Sequence, residues 1–158
     1  MDTYLPPSLR QRLRVAALVL LMAGLCATAQ AQSQGQRGGT LKAIQGDVTL
    51  VKGSNRLTAA TGDGVVQSDK IVTGPNSAAS LVLRDGTALV IGPNSQVSLA
   101  RFEYESTTQK GSLLVDVLQG TIRMISGLIA KIDPEQVKVK TPTVVVGVRG
   151  TDFIVEVP

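Results

Sequence analysis

The chain has 158 residues, enough for one domain with a hydrophobic core. Aromatic residues make up only 3% of it, and it contains neither His nor Trp. The lack of His removes the commonest general base and the commonest metal ligand. The net charge is +4, and it falls to +2 when the three arginines and one aspartate of residues 1–31 are left out. This weak positive charge, with so few aromatic side chains for stacking, argues against a nucleic-acid partner.

Residues 1–31 have the pattern of a bacterial secretory signal peptide. Three arginines, the last of them Arg14, precede an apolar run over Val15–Ala23, and the Ala-Gln-Ala of residues 29–31 fits a cleavage site. The apolar run is shorter than the ~20 residues of a membrane-spanning helix. The alternative is an uncleaved anchor, the one route by which we expect the chain to contact a membrane. Both interpretations predict a periplasmic or secreted protein.

Residues 32–39 (QSQGQRGG) are polar and rich in glycine, and they predict a flexible linker. From residue 40 to residue 158, about ten short apolar or alternating segments are separated by turn signals every 8–12 residues, as in all-β domains. We therefore predict an all-β domain over 40–158, a compact sandwich or jelly-roll-like fold. A short roll of stacked β-turns is the alternative.

The tetrapeptide Gly-Pro-Asn-Ser occurs at 74–77 and again at 92–95, each time before an alternating segment. Pro fixes φ in a turn, and Asn tolerates the left-handed region. Both copies are therefore predicted to be structural corners, with ligand-binding loops as the alternative.

The last twenty residues contain the most distinctive pattern of the chain. Val144–Val146 is a continuous β-branched run, which predicts a strand buried on both faces. A second, alternating strand is predicted from Phe153 to Val157. Gly147 and Gly150 lie between the two and predict a bulge or a close approach of the backbone.

The corner Arg149-Gly150-Thr151-Asp152 is our main candidate site. Arg149 and Asp152 have a spacing at which a charged hydrogen bond would lock the corner. The functional alternative is that Arg149 presents its guanidinium to a carboxylate of a partner or to a glycan.

Tyr104 is a second candidate for partner contact. It lies in the longest polar interval of the domain, residues 103–110, which we predict to be a mobile loop. The alternative is that it lies along the domain surface without a partner.

No catalytic, cofactor-binding or metal-binding residue is predicted. The only cysteine, Cys26, lies in the signal segment, so the mature part has neither Cys nor His for a metal. No acidic loop with calcium-binding spacing occurs, and the carboxylates are scattered. We therefore predict that the protein is not an enzyme and has no cofactor.

Four motifs in series resemble the FecR domain family. They are GVVQSDKIVTG at 64–74, Asp-Gly-Thr at 85–87 with the second Gly-Pro-Asn-Ser, Gly-Thr-Ile-Arg at 120–123, and the closing VKVKTPT and GVRGTDF between 137 and 153. The resemblance covers residues 39–158. In that family the domain is similar to the periplasmic part of a transmembrane regulator that relays receptor occupancy to a sigma factor. This chain departs from that plan, because we expect no cytoplasmic anti-sigma portion before the domain and no receptor-facing domain after it.

The resemblance implies a non-enzymatic extracytoplasmic module that binds an envelope or outer-membrane protein in signalling. Two alternatives stay open: a carbohydrate or cell-surface binding module, and a structural β-domain of a larger exported protein. Exposed strand edges also favour pairing with another chain, including a second copy of this one.

Overall fold

The computed structural model describes residues 37–158. The predicted signal peptide and most of the predicted linker lie outside these residues. The described part contains twelve strands, one short helix and one 3₁₀ turn. The strands are β1 (Gly39–Gln45), β2 (Val48–Lys52), β3 (Asn55–Thr58), β4 (Gly64–Val65), β5 (Lys70–Thr73), β6 (Ala78–Leu83), β7 (Ala88–Ile91), β8 (Gln96–Tyr104), β9 (Gly111–Ile125), β10 (Val137–Lys140), β11 (Val145–Gly147) and β12 (Asp152–Val157). Helix α1 (Leu128–Ile132) and the 3₁₀ turn (Pro134–Gln136) connect β9 to β10.

The strands form one curled sheet in which β10 against β9 is the parallel pair and the other pairs are antiparallel. The prediction of an all-β domain is confirmed, with twelve strands where about ten were expected. β9, with 15 residues, belongs to both halves of the sheet. Its first half lies between β8 and β10, and its second half lies between β7 and β12. We call these the first and the second half-sheet.

The core lies between the two half-sheets. Buried and partly exposed residues alternate along β6 and along most of β9, because successive side chains of a strand point to opposite faces. The buried Val, Leu and Ile side chains of both half-sheets form one cluster, which includes Leu50, Leu81, Val115, Ile122 and Val139. The strands of the chain's last third therefore share one core with those of its first third.

The two Gly-Pro-Asn-Ser segments form matching corners. The Oγ of Ser77 accepts a hydrogen bond of 2.9 Å from the N–H of Asp47, and the Oγ of Ser95 accepts one of 3.0 Å from the N–H of Thr121. In both copies the asparagine has a positive φ, 53° and 50°. Both serine side chains are buried and bond to backbone. These contacts support the structural interpretation over ligand loops.

The prediction that Val144–Val146 is buried on both faces is wrong. These three valines are 42–55% exposed. Among the described residues β11 pairs only with β10, so it lies at a sheet edge where no further strand covers it. The predicted close approach at Gly147 and Gly150 is also wrong, because a Cβ at either position would meet no atom within 4 Å.

β1 begins at Gly39, the last residue of the predicted linker. The N–H of Gly38 already donates to the carbonyl of Val65 at 2.8 Å. Within residues 37–158, no helix has the length and apolar character needed to cross a membrane.

Candidate functional site

The predicted corner, Arg149 to Asp152, connects β11 to β12, and its four residues are exposed. Ser126, the residue after β9, fastens it to the sheet. The Oγ of Ser126 donates to the carbonyl of Gly150 at 2.7 Å, and its N–H donates to the carbonyl of Thr151 at 2.9 Å. The backbone of the corner is therefore held by hydrogen bonds from Ser126, a residue distant in sequence that the spacing within the corner does not indicate.

The predicted hydrogen bond between Arg149 and Asp152 is wrong, because each side chain pairs with another residue. Asp152 accepts two hydrogen bonds from Arg123 of β9, 2.9 Å from Nε and 2.5 Å from Nη2. Arg149 lies 3.6 Å from Glu135, and these side chains are 81% and 75% exposed. A pair so exposed contributes little, whereas the two parallel hydrogen bonds of Arg123 fix the orientation of both partners.

The ion pair shifts the pKa of both of its residues. Hydrogen bonding from Arg123 holds the pKa of Asp152 below its ordinary value. The same hydrogen bonding raises the pKa of Arg123. Both shifts favour the charged forms, so the two side chains form an ion pair at neutral pH.

Apolar side chains surround this ion pair on the outer face of the second half-sheet. Val90 and Ile154 are the direct cross-strand neighbours of Arg123, and Ile125 lies opposite Asp152. Val90, Ile125 and Ile154 are all exposed, and Ile154 is the most exposed of them at 67%. We call these five residues the terminal patch. The pairing of β9 with both β7 and β12 brings it together, so no short sequence motif contains it.

Tyr104 is the last residue of β8 and lies before the loop rather than within it. It is partly buried and packs against the core cluster. Residues 105–110 form the loop itself, and they are exposed. The structure therefore separates Tyr104 from the terminal patch, which lies at the other half of β9. Its proposed role as a partner contact stays a prediction.

The acidic side chains in the described part of the chain do not form a metal site. Over residues 37–158 no three side chains of His, Cys, Asp or Glu lie together in a group that could hold a metal ion. The carboxylates of Asp69 and Asp85 are buried, and each accepts hydrogen bonds from neighbouring residues. Asp69 bonds to Lys52 and to the N–H of Val66, and Asp85 bonds to Thr87.

Fold and site together define a small all-β domain with an exposed apolar and charged surface over β7, β9 and β12. The chain belongs to the FecR family, because the family model described as "FecR protein" matches residues 69–157. The matched segment contains every strand from β5 to β12, and with them the corner and the terminal patch.

No curated protein matches this chain. A solved structure described as a "Cell surface anchoring domain" is similar to part of it, with 26% identity and a TM-score of 0.39. That similarity covers 40% of this chain and 86% of the other.

Proposed function

We propose that the protein is a non-enzymatic extracytoplasmic module that binds a protein partner in envelope signalling or regulation. Membership of the FecR family supports the signalling context. The predicted signal peptide supports a periplasmic or secreted location. The terminal patch is the observation that carries the proposal, because it is the surface that a partner would contact.

The terminal patch has the composition of a protein interface. Exposed apolar side chains that cluster, rather than occurring singly, mark interaction sites. Arginine is enriched at such interfaces, where its planar fork gives directional hydrogen bonds. Arg123 is already oriented by Asp152, so binding requires less ordering of a long side chain.

The experiment is in-cell cross-linking of the tagged full chain, followed by mass spectrometry of the captured envelope proteins. The test variant is Ile154→Glu, which places a charge at the most exposed apolar position of the terminal patch. The control is Leu57→Glu, because Leu57 is also an exposed apolar residue of an edge strand, β3, but lies in the first half-sheet. We expect Ile154→Glu to lose a specific envelope protein that Leu57→Glu retains. Recovery of the same proteins with both variants would contradict the proposal.

A second candidate function, binding to an acidic cell-surface polysaccharide, is favoured by the charge of the opposite face. The outer face of the first half-sheet carries five basic residues and two acidic ones. The basic residues are Arg56, Lys70, Arg101, Lys138 and Lys140, and the acidic ones are Glu103 and Asp116. This face is therefore more positive than residues 32–158 as a whole, which carry +2. The scarcity of aromatic platforms favours an acidic polymer over a neutral one.

Affinity electrophoresis through gels containing alginate or neutral dextran tests this second function. We expect alginate, but not dextran, to retard the full chain, and added salt to weaken the effect. Lys138→Gln with Lys140→Gln should reduce the retardation more than Lys42→Gln with Lys131→Gln, which removes the same charge elsewhere. Equal effects of the two double variants would contradict a specific basic face.

A further inference from the structure

The open edge of β12 exposes a defined set of backbone groups. Thr151 lies opposite Ser126, whose N–H donates to the Thr151 carbonyl at 2.9 Å. In an antiparallel ladder the residues that bond to the neighbour alternate with residues that turn away from it. Asp152, Ile154 and Glu156 therefore direct their N–H and C=O groups away from β9. Among the described residues no strand lies beyond β12 to receive them.

The side chains of β12 divide in the same alternating way. Asp152, Ile154 and Glu156 are exposed on the outer face, so an apolar residue stands between two acidic ones. Phe153 and Val155 are half-buried and pack against the core from the other face. The edge thus offers free backbone groups, an acid–apolar–acid row on one face and incompletely covered apolar side chains on the other.

The edge of β12 is also longer than the other open edges of the described sheet. It has six residues, compared with four in β3, three in β11 and two in β4. A longer edge forms more main-chain hydrogen bonds with an added strand.

We propose that β12 receives an extended segment of the partner in which two basic residues flank three apolar residues. This inference rests on the proposed protein-binding function and names the partner's chemistry. The added strand would pair with the free N–H and C=O groups. Its basic residues would lie opposite Asp152 and Glu156, its central residue opposite Ile154, and the two remaining apolar residues would cover Phe153 and Val155. The pattern is the same in both strand directions.

Charge argues against a second copy of this chain as the occupant. Two β12 strands that pair antiparallel through the free backbone groups of Asp152, Ile154 and Glu156 would be centred on Ile154. Asp152 of each copy would then lie directly opposite Glu156 of the other, and Arg123 offsets only one of the two carboxylates in each copy. Like charges directly opposite across strands are destabilising. The same two carboxylates favour a basic segment, so they discriminate between self and partner.

The first test is an NMR titration of the isotopically labelled full chain with two synthetic nine-residue peptides. One peptide has lysines on either side of three β-branched residues, and the other has glutamates in place of the lysines. The lysine peptide should shift the amide signals of Asp152, Ile154 and Glu156. The cross-strand charge pair with Glu156, at ~0.5 kcal/mol, corresponds to about twofold tighter binding, and the pair with Asp152 adds less because Arg123 already neutralises that carboxylate. Repulsion in the glutamate peptide should widen the difference to about fivefold.

Two variants separate strand addition from contact with the face of the terminal patch. Ile154→Pro removes an N–H that β9 does not use, so an edge strand should tolerate it. We expect it to abolish peptide binding. Glu156→Lys should reverse the preference at one end, so that a peptide with one lysine and one glutamate binds it best. This reversal tests the inference even where the proline variant does not fold.

Equal affinity of the lysine and glutamate peptides would overturn the inference, and so would a dimer of the full chain that Ile154→Pro dissociates. A folded Ile154→Pro variant that still captures the envelope partner lost by Ile154→Glu would also overturn it. That last result would leave the proposed function intact, because binding would then use the face of the terminal patch and not its edge.

Discussion

At the scale of single residues, the serine hydroxyl of each Gly-Pro-Asn-Ser corner accepts a backbone hydrogen bond that a carbonyl would accept within a β-ladder. Ser77 and Ser95 each accept a hydrogen bond from a backbone N–H on a distant segment and donate to a carbonyl within their own turn. In each case the distant segment approaches through a glycine of positive φ, Gly46 or Gly120. The repeated tetrapeptide is visible in the sequence, but the glycine that completes each corner lies about 25 to 31 positions away.

Gly120→Ala should be among the most destabilising single substitutions in the domain. The new Cβ would lie 2.1 Å from the Oγ and 2.5 Å from the Cα of Ser95, at a backbone φ of 88°. We expect a loss of about 3 kcal/mol, from left-handed strain of roughly 1–2 kcal/mol and overpacking of roughly 1–3 kcal/mol. Urea unfolding of the full chain, followed by circular dichroism, measures this loss.

Gly53→Ala is the matched control, because Gly53 has a φ of 59° but no neighbouring atom within 4 Å of the new Cβ. It should lose about 1–2 kcal/mol from strain alone. Equal losses for both variants would show that the contact with Ser95 has no role.

Ser95→Ala tests the hydroxyl itself. The substitution leaves the partly buried N–H of Thr121 without its acceptor, and it also removes the bond from the buried Ser95 hydroxyl to the Pro93 carbonyl. An orphaned buried backbone donor costs about 1–3 kcal/mol. Ser54→Ala, in an exposed turn, should change the free energy of unfolding by less than about 0.5 kcal/mol. A Ser95→Ala variant as stable as the Ser54→Ala control would refute the structural role.

At the scale of elements, β12 is held to β9 by a ladder, by half-buried apolar side chains and by the Arg123–Asp152 ion pair. The pKa of Asp152 is lower in the folded chain than its ordinary value of 3.8. The pair therefore stabilises the fold above that ordinary value, and its contribution is lost as the pH falls through the lower, folded pKa. Asp152→Asn should lower Tm at pH 7, and the difference from the natural chain should shrink at a pH well below 3.8.

The control for this prediction is Glu135→Gln, which removes the more exposed contact with Arg149. It should leave Tm unchanged at both pH values, since exposed pairs at such distances contribute little. Thermal scans at two salt concentrations add a second check, because the Asp152→Asn difference should decrease as salt screens the pair. If the Tm difference between Asp152→Asn and the natural chain persists at low pH, the loss of stability does not come from the charge of Asp152.

Local patterns were enough to predict the all-β class and the corners, because alternation and turn chemistry are properties of short segments. The site was predicted only in part. Asp152 was identified, but its true partner Arg123 lies 29 positions away and becomes a neighbour only through the pairing of β9 with β12. Val144–Val146 has the composition of a buried strand, yet burial depends on which elements pack against a strand, and its own sequence does not contain that information.

At the scale of the whole molecule, the open edges of β11 and β12 differ in charge. β12 carries acidic residues on its outer face, whereas β11 offers exposed valines with no charge. Charged side chains on an edge limit non-specific pairing, and an uncharged edge of β-branched residues promotes it. We therefore expect that unspecific association of the described domain begins at β11, while β12 remains available for a selective partner.

Val145→Lys tests this division of roles. Because Val145 is exposed and lies on an edge strand, the lysine should lower the Tm by only about 2–5 °C, chiefly through repulsion from Lys140, which lies directly opposite it on β10. It should also slow aggregation of the concentrated full chain, measured by light scattering, without weakening the lysine peptide at β12. Val139→Lys on neighbouring β10 is the control, because that side chain is fully buried and the substitution should unfold the domain. If Val145→Lys instead unfolds the domain, β11 is covered in the native protein, and its exposed edge is not where association begins.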